Sequence, residues 1–262
     1  MVTVLRSSRS GDLFEQLYVK FNRREYVHPD PIEFLYPFDD LRDREIVGLV
    51  ASSLAYGRVS QILRSVTAVV ERMEPAPHRF LAATSREELV AGFCNFKHRF
   101  STGEELAALL YGIKETMERY ETLQNCFASF LDDGDETIEA ALCLFVEELR
   151  SRSRDLHVNS LLPCPTKGSA CKRLNLFLRW MVRRDDIDPG GWDDVPASKL
   201  IVPLDTHMYG ICRMLNITGR KQASMRTALE ITRYFRRIVP HDPVKYDFSL
   251  TRLGILKNSG PA

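Results

Sequence analysis

Two residues in this chain have the types and settings for covalent chemistry, an aspartate, Asp205, and a lysine, Lys172. Asp205 lies in Val202-Pro203-Leu204-Asp205-Thr206-His207-Met208, where an apolar approach gives way to a helix-like run. Met208, Ile211, Cys212 and Leu215 then recur at one-face helical spacing. An aspartate so placed accepts hydrogen bonds from the free amides of the first turn and stays ionised. Lys172 opens Lys172-Arg173-Leu174-Asn175-Leu176-Phe177-Leu178-Arg179-Trp180-Met181-Val182-Arg183. At about 100° per residue, Lys172, Asn175, Arg179 and Arg183 share a narrow polar stripe, and the rest of the helix is Leu, Phe, Trp and Met. The spacing predicts a helix buried on most sides, with Lys172 at its N-terminal end on the stripe outside the core. The positive end of the helix dipole and partial burial both disfavour an ammonium there, which favours a neutral, nucleophilic amine. An attacking amine beside an ionised carboxylate is equipment for displacement at a carbon that develops positive charge. A solvated lysine and a carboxylate that only caps its helix fit the same residues.

The elements that must position these groups are helical. Amphipathic candidates run over Asp39–Val70 (broken near Gly57), Glu104–Tyr120, Glu136–Arg150, Lys172–Arg184, Asp205–Leu215, Gln222–Ile238 and Pro243–Leu253. Alternating strand patterns of any length are absent. Breaks fall at Glu74-Pro75-Ala76-Pro77, Asp132-Asp133-Gly134-Asp135, Pro163-Cys164-Pro165 and Asp188-Pro189-Gly190-Gly191-Trp192. Asp242-Pro243 reads as an N-cap followed by proline in the first turn. The expected fold is all-α, a two-lobed helical bundle with a central cleft, forming a single unit over residues 1–262. The lobes are an acid-rich one over 40–155 and a basic one over 1–39 plus 156–262.

Composition bounds the function classes. The chain has 262 residues with 44% hydrophobic and 27% charged, an ordinary globular balance. No signal peptide and no run of about 18 apolar residues is visible, so neither secretion nor a membrane partner is expected. The six cysteines form no CxxC pair and read as reduced thiols of a cytoplasmic protein. The net charge of +1 conceals a marked asymmetry. Gly103–Leu149 holds twelve acidic and two basic residues, Arg150–Arg184 nine basic and one acidic, and Arg213–Arg237 seven basic and one acidic. Such a distribution suits one face toward a polyanion, and equally a set of solvated helix faces.

Ahead of Lys172 lies Leu161-Leu162-Pro163-Cys164-Pro165-Thr166-Lys167-Gly168-Ser169-Ala170-Cys171. A turn at Gly168 just before a helix start leaves backbone amides exposed, and such amides hold a phosphate without reading sequence. An ordinary helix–helix connection has the same composition. This hairpin-then-lysine helix, paired with a later Asp-Thr-His helix, resembles the helix-hairpin-helix DNA glycosylases. There the hairpin is usually Leu-Pro-Gly-x-Gly-x-Lys and the aspartate lies in Val-Asp-Thr-His. Leu162-Pro163 and Leu204-Asp205-Thr206-His207 match. The hairpin is longer and lacks the first glycine, and the lysine-to-aspartate separation is closer to the archaeal 8-oxoguanine glycosylase branch than to endonuclease III. The run Gly168 to Met181 also resembles a bacterial family known as domain of unknown function 2400, and that resemblance covers most of the chain.

The glycosylase resemblance implies a DNA repair enzyme for duplex DNA that excises a damaged base, an oxidised purine among the candidates, and nicks the strand by β-elimination. It implies Lys172 as nucleophile, with Lys167 as a rival, and Asp205 as the charge-stabilising carboxylate. Gly168, Ser169, Arg173 and Arg179 would hold phosphates. Arg44 to Gln61 resembles the helix whose end fills the gap left by a flipped base, with Tyr56, Arg58 and Gln61 as candidates. Phe93-Cys94-Asn95-Phe96-Lys97-His98-Arg99-Phe100 is a second aromatic-basic cluster, fit either to stack a base or to plug the core. A monomer without cofactor is expected. Cys94 and His98 are too few for a zinc site. His207 beside Asp205 makes no triad, because neighbouring side chains on a helix diverge. The last cysteine is Cys212, so the C-terminal iron-sulfur cluster of endonuclease III is not expected. No phosphate-loop sequence is present. Two other classes remain open: a non-catalytic helical module that binds DNA or RNA, and a helical protein-interaction scaffold.

Overall fold

The computed structural model describes residues 10–153 and 160–258. Its helices are α1 (Ser10–Phe21), α2 (Leu41–Ser53), α3 (Val59–Met73), α4 (Pro77–Ala83), α5 (Arg86–Phe93), α6 (Gly103–Tyr120) and α7 (Leu123–Ala128). They continue with α8 (Glu139–Arg152), α9 (Lys172–Val182), α10 (Thr206–Met214), α11 (Met225–Arg236) and α12 (Asp247–Asn258). Between α5 and α6 a minimal antiparallel ribbon pairs β1 (Lys97–His98) with β2 (Ser101–Thr102). The protein is all-α, as its helical periodicity predicts.

Helix starts follow the local chemistry. Ser85 with Glu88 and Thr102 with Glu105 form capping boxes at α5 and α6, each satisfying two otherwise unpaired amides. Asp40 and Thr122 cap α2 and α7 with their side chains. The expected Asp39–Val70 helix divides into α2 and α3. Gly57 sits between them at φ +98°, where a Cβ would fall 2.7 Å from the Arg99 side chain. The last helix departs from expectation. It starts at Asp247, not at Asp242-Pro243, because the Asp242 carboxylate is drawn to Arg183 Nε at 2.9 Å and leaves no cap.

Helix α2 is buried on nearly every side from Glu45 to Ser53 and lies between α9 and the turn at Pro31–Leu35. Glu45 is fully buried, yet its carboxylate accepts from Leu123 N, Gln124 N and Trp192 Nε1 at 2.7–2.9 Å, tying α2 to the start of α7. Burial pushes that carboxyl up to about 7, against three hydrogen bonds that favour its charge. Elsewhere α6 crosses α8 closely at Gly112, where a Cβ would meet Leu149 O at 2.5 Å. Trp180, Trp192, Phe127, Phe145 and Phe177 fill the centre, each contributing roughly 1.5–3 kcal/mol or more by burial. The buried apolar residues form one continuous cluster that includes residues from both expected lobes.

The polar stripe of α9 is where expectation and structure differ most. Asn175, Arg179 and Arg183 are buried, not solvated. Arg179 pairs with Asp188 at 3.1 Å and Asp247 at 2.5 Å, and Arg183 pairs with Asp185, Asp188 and Asp242. The loop after α9 supplies Asp185 and Asp188, the connection between α11 and α12 supplies Asp242, and the start of α12 supplies Asp247, so the stripe is a buried ionic core. The basic run from Arg150 to Arg184 is therefore no continuous surface face. Arg150 donates to Leu162 O, and Arg152 pairs with Glu148 at 2.9 Å. At the C-terminal end, Arg236 meets Glu136 of the acidic region at 2.8 Å.

Candidate functional site

A cavity of about 630 Å³ is lined by parts of α3, α9, α10 and α12 and by the loops around Pro29, Gly57 and Ala223. Lys172 and Asp205 both line it. Lys172 is the first residue of α9, half-buried, and its Nζ is 3.5 Å from the Ala55 carbonyl. That long contact is its sole hydrogen bond among the described residues. The chain is brought to this position by Cys171, which adopts φ +46° immediately before the helix. Asp205 is the N-cap of α10, and its Oδ1 accepts from Met208 N at 2.7 Å. The cap fixes the carboxylate at the wall and leaves Oδ2 without a donor among the described residues. His207, the second residue of α10, lines the same wall.

The rest of the lining is mixed. Val59, Ile62, Leu176, Leu204 and Phe248 give apolar walls, while Asp30, Arg179, Asp247 and Arg252 add charge. Arg252 donates to Val27 O and lies 3.4 Å from Asp30 Oδ2. A concave apolar space with a few converging ionisable groups is the form that small-molecule and base-binding sites take. A second groove, of about 660 Å³, lies along α3, α4 and α5. Its charged residues are engaged, Arg72 over the Phe93 ring and Glu88 in the capping box, and it has no amine facing a carboxylate.

Of the residues expected to contact DNA, Tyr56 lines the cavity, whereas Arg58 and Gln61 are exposed and outside its lining. Tyr56 is not free to fill a gap in a duplex. Its hydroxyl donates to His98 O at 2.9 Å and lies 2.8 Å from Ser101 Oγ. Its ring is covered by Arg173 at 4.9 Å, by the edge of His98 and by Phe100 stacked at 5.6 Å. Phe100 is the outermost member of this stack and is 69% exposed. Within the Phe93–Phe100 cluster, Phe93 and His98 are buried, and burial holds the His98 pKa below its usual value. The cluster thus divides, with one part plugging the core and its tip free.

Arg173 and Arg179, expected to hold phosphates, are used internally. Arg173 donates to Ser53 O and Ser160 O, and burial lowers its pKa. Arg179 is 3% exposed in its ionic cluster, though it borders the cavity floor. Gly168 and Ser169 are exposed and lie outside the lining. Gly168 adopts φ +77° after the short turn Pro165–Lys167, and Ser169 bridges to Ser224, just before α11. The side chain of Lys167, the rival lysine, lies outside the described residues. Exposed cations close in sequence to lining residues are Arg58, between Gly57 and Val59, and Lys221 and Arg226, which flank Ala223, while the exposed Arg99 side chain lies against Gly57. Asp247 and Phe100 are the residues that sequence reasoning missed or left undecided.

Among the described residues no cluster fit to hold a metal ion occurs, and no helix is long and apolar enough to cross a membrane. All six cysteines are free thiols. Fold and site together define an all-α protein whose central cavity holds a helix-initiating lysine and a helix-capping aspartate. Residues 30–256 match the family described as protein of unknown function (DUF2400), and the chain belongs to that family. It matches no curated protein and no solved structure.

Proposed function

We propose that the protein is a DNA glycosylase with associated β-elimination lyase activity, acting on a damaged base, an oxidised purine in the first instance, in duplex DNA. The observation that carries this reading is that Lys172 and Asp205, far apart in sequence, line one cavity. The space is ample for a base taken out of the stack. As the glycosidic bond lengthens, positive character builds on the sugar, and the Asp205 carboxylate stabilises it. The Lys172 amine attacks C1′, forming the carbon–nitrogen bond as the bond to the base breaks. Asp205 accepts the proton that the amine loses and relays it to the departing base, which leaves neutral. The resulting aminal opens as its C1′–O4′ bond breaks and O4′ takes a proton from solvent, giving a protonated Schiff base whose C2′ hydrogen is acidic. Its removal expels the 3′ phosphate and nicks the strand. No cofactor is required, and a monomer suffices. Exposed Arg58, Arg99, Lys221 and Arg226 and the Ser169 amide hold the backbone, the Gly168 amide being spent on Pro165 O, and Phe100 occupies the space that the base vacates.

The test is borohydride trapping on duplexes carrying 8-oxoguanine and other lesions. Wild type is expected to trap on at least one lesion, Lys172→Gln on none, and Asp205→Asn to release base far more slowly. Trapping by neither wild type nor variant removes the lyase reading. Salt-sensitive binding without base release would then mark a nucleic-acid-binding module, and absence of binding a protein scaffold.

A further inference from the structure

One cation in the cavity wall has far less counter-charge than its neighbours, and the displacement chemistry does not use it. Arg252, the sixth residue of α12, lines the cavity and is 7% exposed. Its hydrogen bonds all leave from one nitrogen: Nη2 donates to Val27 O and lies 3.4 Å from Asp30 Oδ2. Nε and Nη1 have no partner among the described residues, and neither is enclosed by protein. Asp30 is a weak counter-ion. Its Oδ1 accepts from Ile32 N at 3.1 Å, and its side chain is 28% exposed, so water screens its charge. Arg179 and Arg183 are as deeply buried, yet each meets two or more carboxylates within 3.1 Å. Burial lowers the Arg252 pKa, whereas Arg179 and Arg183, although burial opposes it, are raised by their carboxylates. A buried guanidinium with spare donors is costly unless an acceptor reaches it, and here the open side is the cavity.

We infer that Arg252 receives an anionic oxygen on the edge of the bound base, so that the cavity favours oxidised bases bearing a carboxylate over their neutral counterparts. Hydrogen bonds between a guanidinium and a carboxylate are charge-assisted and stronger than those to a neutral carbonyl. An amide of the same shape turns N–H donors as well as a carbonyl toward the cation and brings no charge. Val27 O and Asp30 hold the Nη2 side, so the free nitrogens are fixed before a ligand arrives. The Phe248 ring lies 5.0 Å from the guanidinium, and with Ile62 and Leu176 it gives the apolar surface that a flat ring needs. Lys172 and Asp205, which act on the sugar, come from the starts of α9 and α10, whereas Arg252 comes from α12 and is left for the base. A phosphate carries the same kind of oxygen, and the test separates the two. The inference rests on the base-excision reading for the ligand being a base, and it adds the substituent that the cavity accepts.

The experiment titrates the full chain with 5-carboxy-2′-deoxyuridine, 5-carbamoyl-2′-deoxyuridine and 2′-deoxyuridine 5′-phosphate by calorimetry. The first two are nearly the same shape and differ in charge, and the third carries its anion on the sugar. The carboxylate is expected to bind roughly tenfold or more tightly than either of the others. Arg252→Gln, checked for folding by circular dichroism, is expected to bind carboxylate and amide alike. Equal affinity of wild type for carboxylate and amide, tightest binding of the 5′-phosphate, or no binding of any of the three overturns the inference. So does a carboxylate preference that survives in folded Arg252→Gln. The ligand comparison uses wild type and so holds whether or not the variant folds. Base excision is scored separately. Trapping on a lesion duplex without a carboxylate preference defeats this inference alone, and a carboxylate preference without base release from any duplex defeats the enzyme reading alone.

Discussion

The two ends of helix α9 carry the same kind of residue and put it to opposite uses. At the N-terminal end, Lys172 borders a cavity and makes a single long contact to a carbonyl. Two and three turns further on, Arg179 and Arg183 lie on the same stripe, yet each is clamped between carboxylates. What separates them is what the rest of the chain delivers. The loop after α9, the connection between α11 and α12 and the start of α12 bring Asp185, Asp188, Asp242 and Asp247 to the C-terminal half. Beside Lys172 the neighbouring segment offers a carbonyl and open space. A guanidinium pairs with two carboxylates and remains charged, which suits a structural core. An amine can lose its proton, and it stands where the wall opens.

That contrast breaks most readily at its structural end. Asp188→Asn removes the carboxylate shared by Arg179 and Arg183 and is expected to cost roughly 3–5 kcal/mol in denaturant unfolding. A cost no greater than that of Lys172→Gln would erase the distinction. Next is the junction between the two ends. Burial pushes the Asp247 carboxyl up to about 7. The folded state therefore holds a proton that the unfolded chain releases above about pH 4, and stability falls as pH rises toward 7. Asp247→Asn abolishes this, so its stability relative to wild type should rise by up to a few kcal/mol from pH 4 to 7, measured as unfolding midpoints across pH. Asp205 is smaller in effect. Asp205→Ala should cost about 1 kcal/mol through the lost cap, whereas Asp205→Asn stays within a few tenths yet loses activity. A similarly small change in stability is expected for Phe100→Ala, within about 0.5 kcal/mol. Its loss should still weaken DNA binding by a stacking contribution of roughly 1–3 kcal/mol in a titration.

Much of this architecture was legible in local pattern. The α6 and α9 periodicities place their helices within a residue or two, and Asp205 reads as the cap it is, because capping depends on neighbours in sequence. The fate of the polar stripe was not legible, since a helical wheel shows where Arg179 and Arg183 point but not which carboxylates arrive from the following loop and from the segment that leads into α12. Asp247 was hidden for a related reason. Asp242-Pro243 has the composition of a helix start, but the Asp242 carboxylate is engaged by Arg183 and the segment closes short turns through Lys245 N and Asp247 N. The short helices α4, α5 and α7 carry too few turns for a period to emerge, and Phe100 is freed by the ribbon turn at Arg99. The pairing of Lys172 with Asp205 came from resemblance to glycosylases, and no spacing rule supplies it.

The central claim concerns one amine, and it is tested most directly by locating the covalent bond. Wild type is incubated with an 8-oxoguanine duplex and borohydride, and the adduct is digested and mapped by peptide mass spectrometry. The account predicts a sugar remnant on Lys172, with no adduct in Lys172→Gln. An adduct on Lys167 or on the N-terminal amine, or none on any lesion duplex, would contradict it.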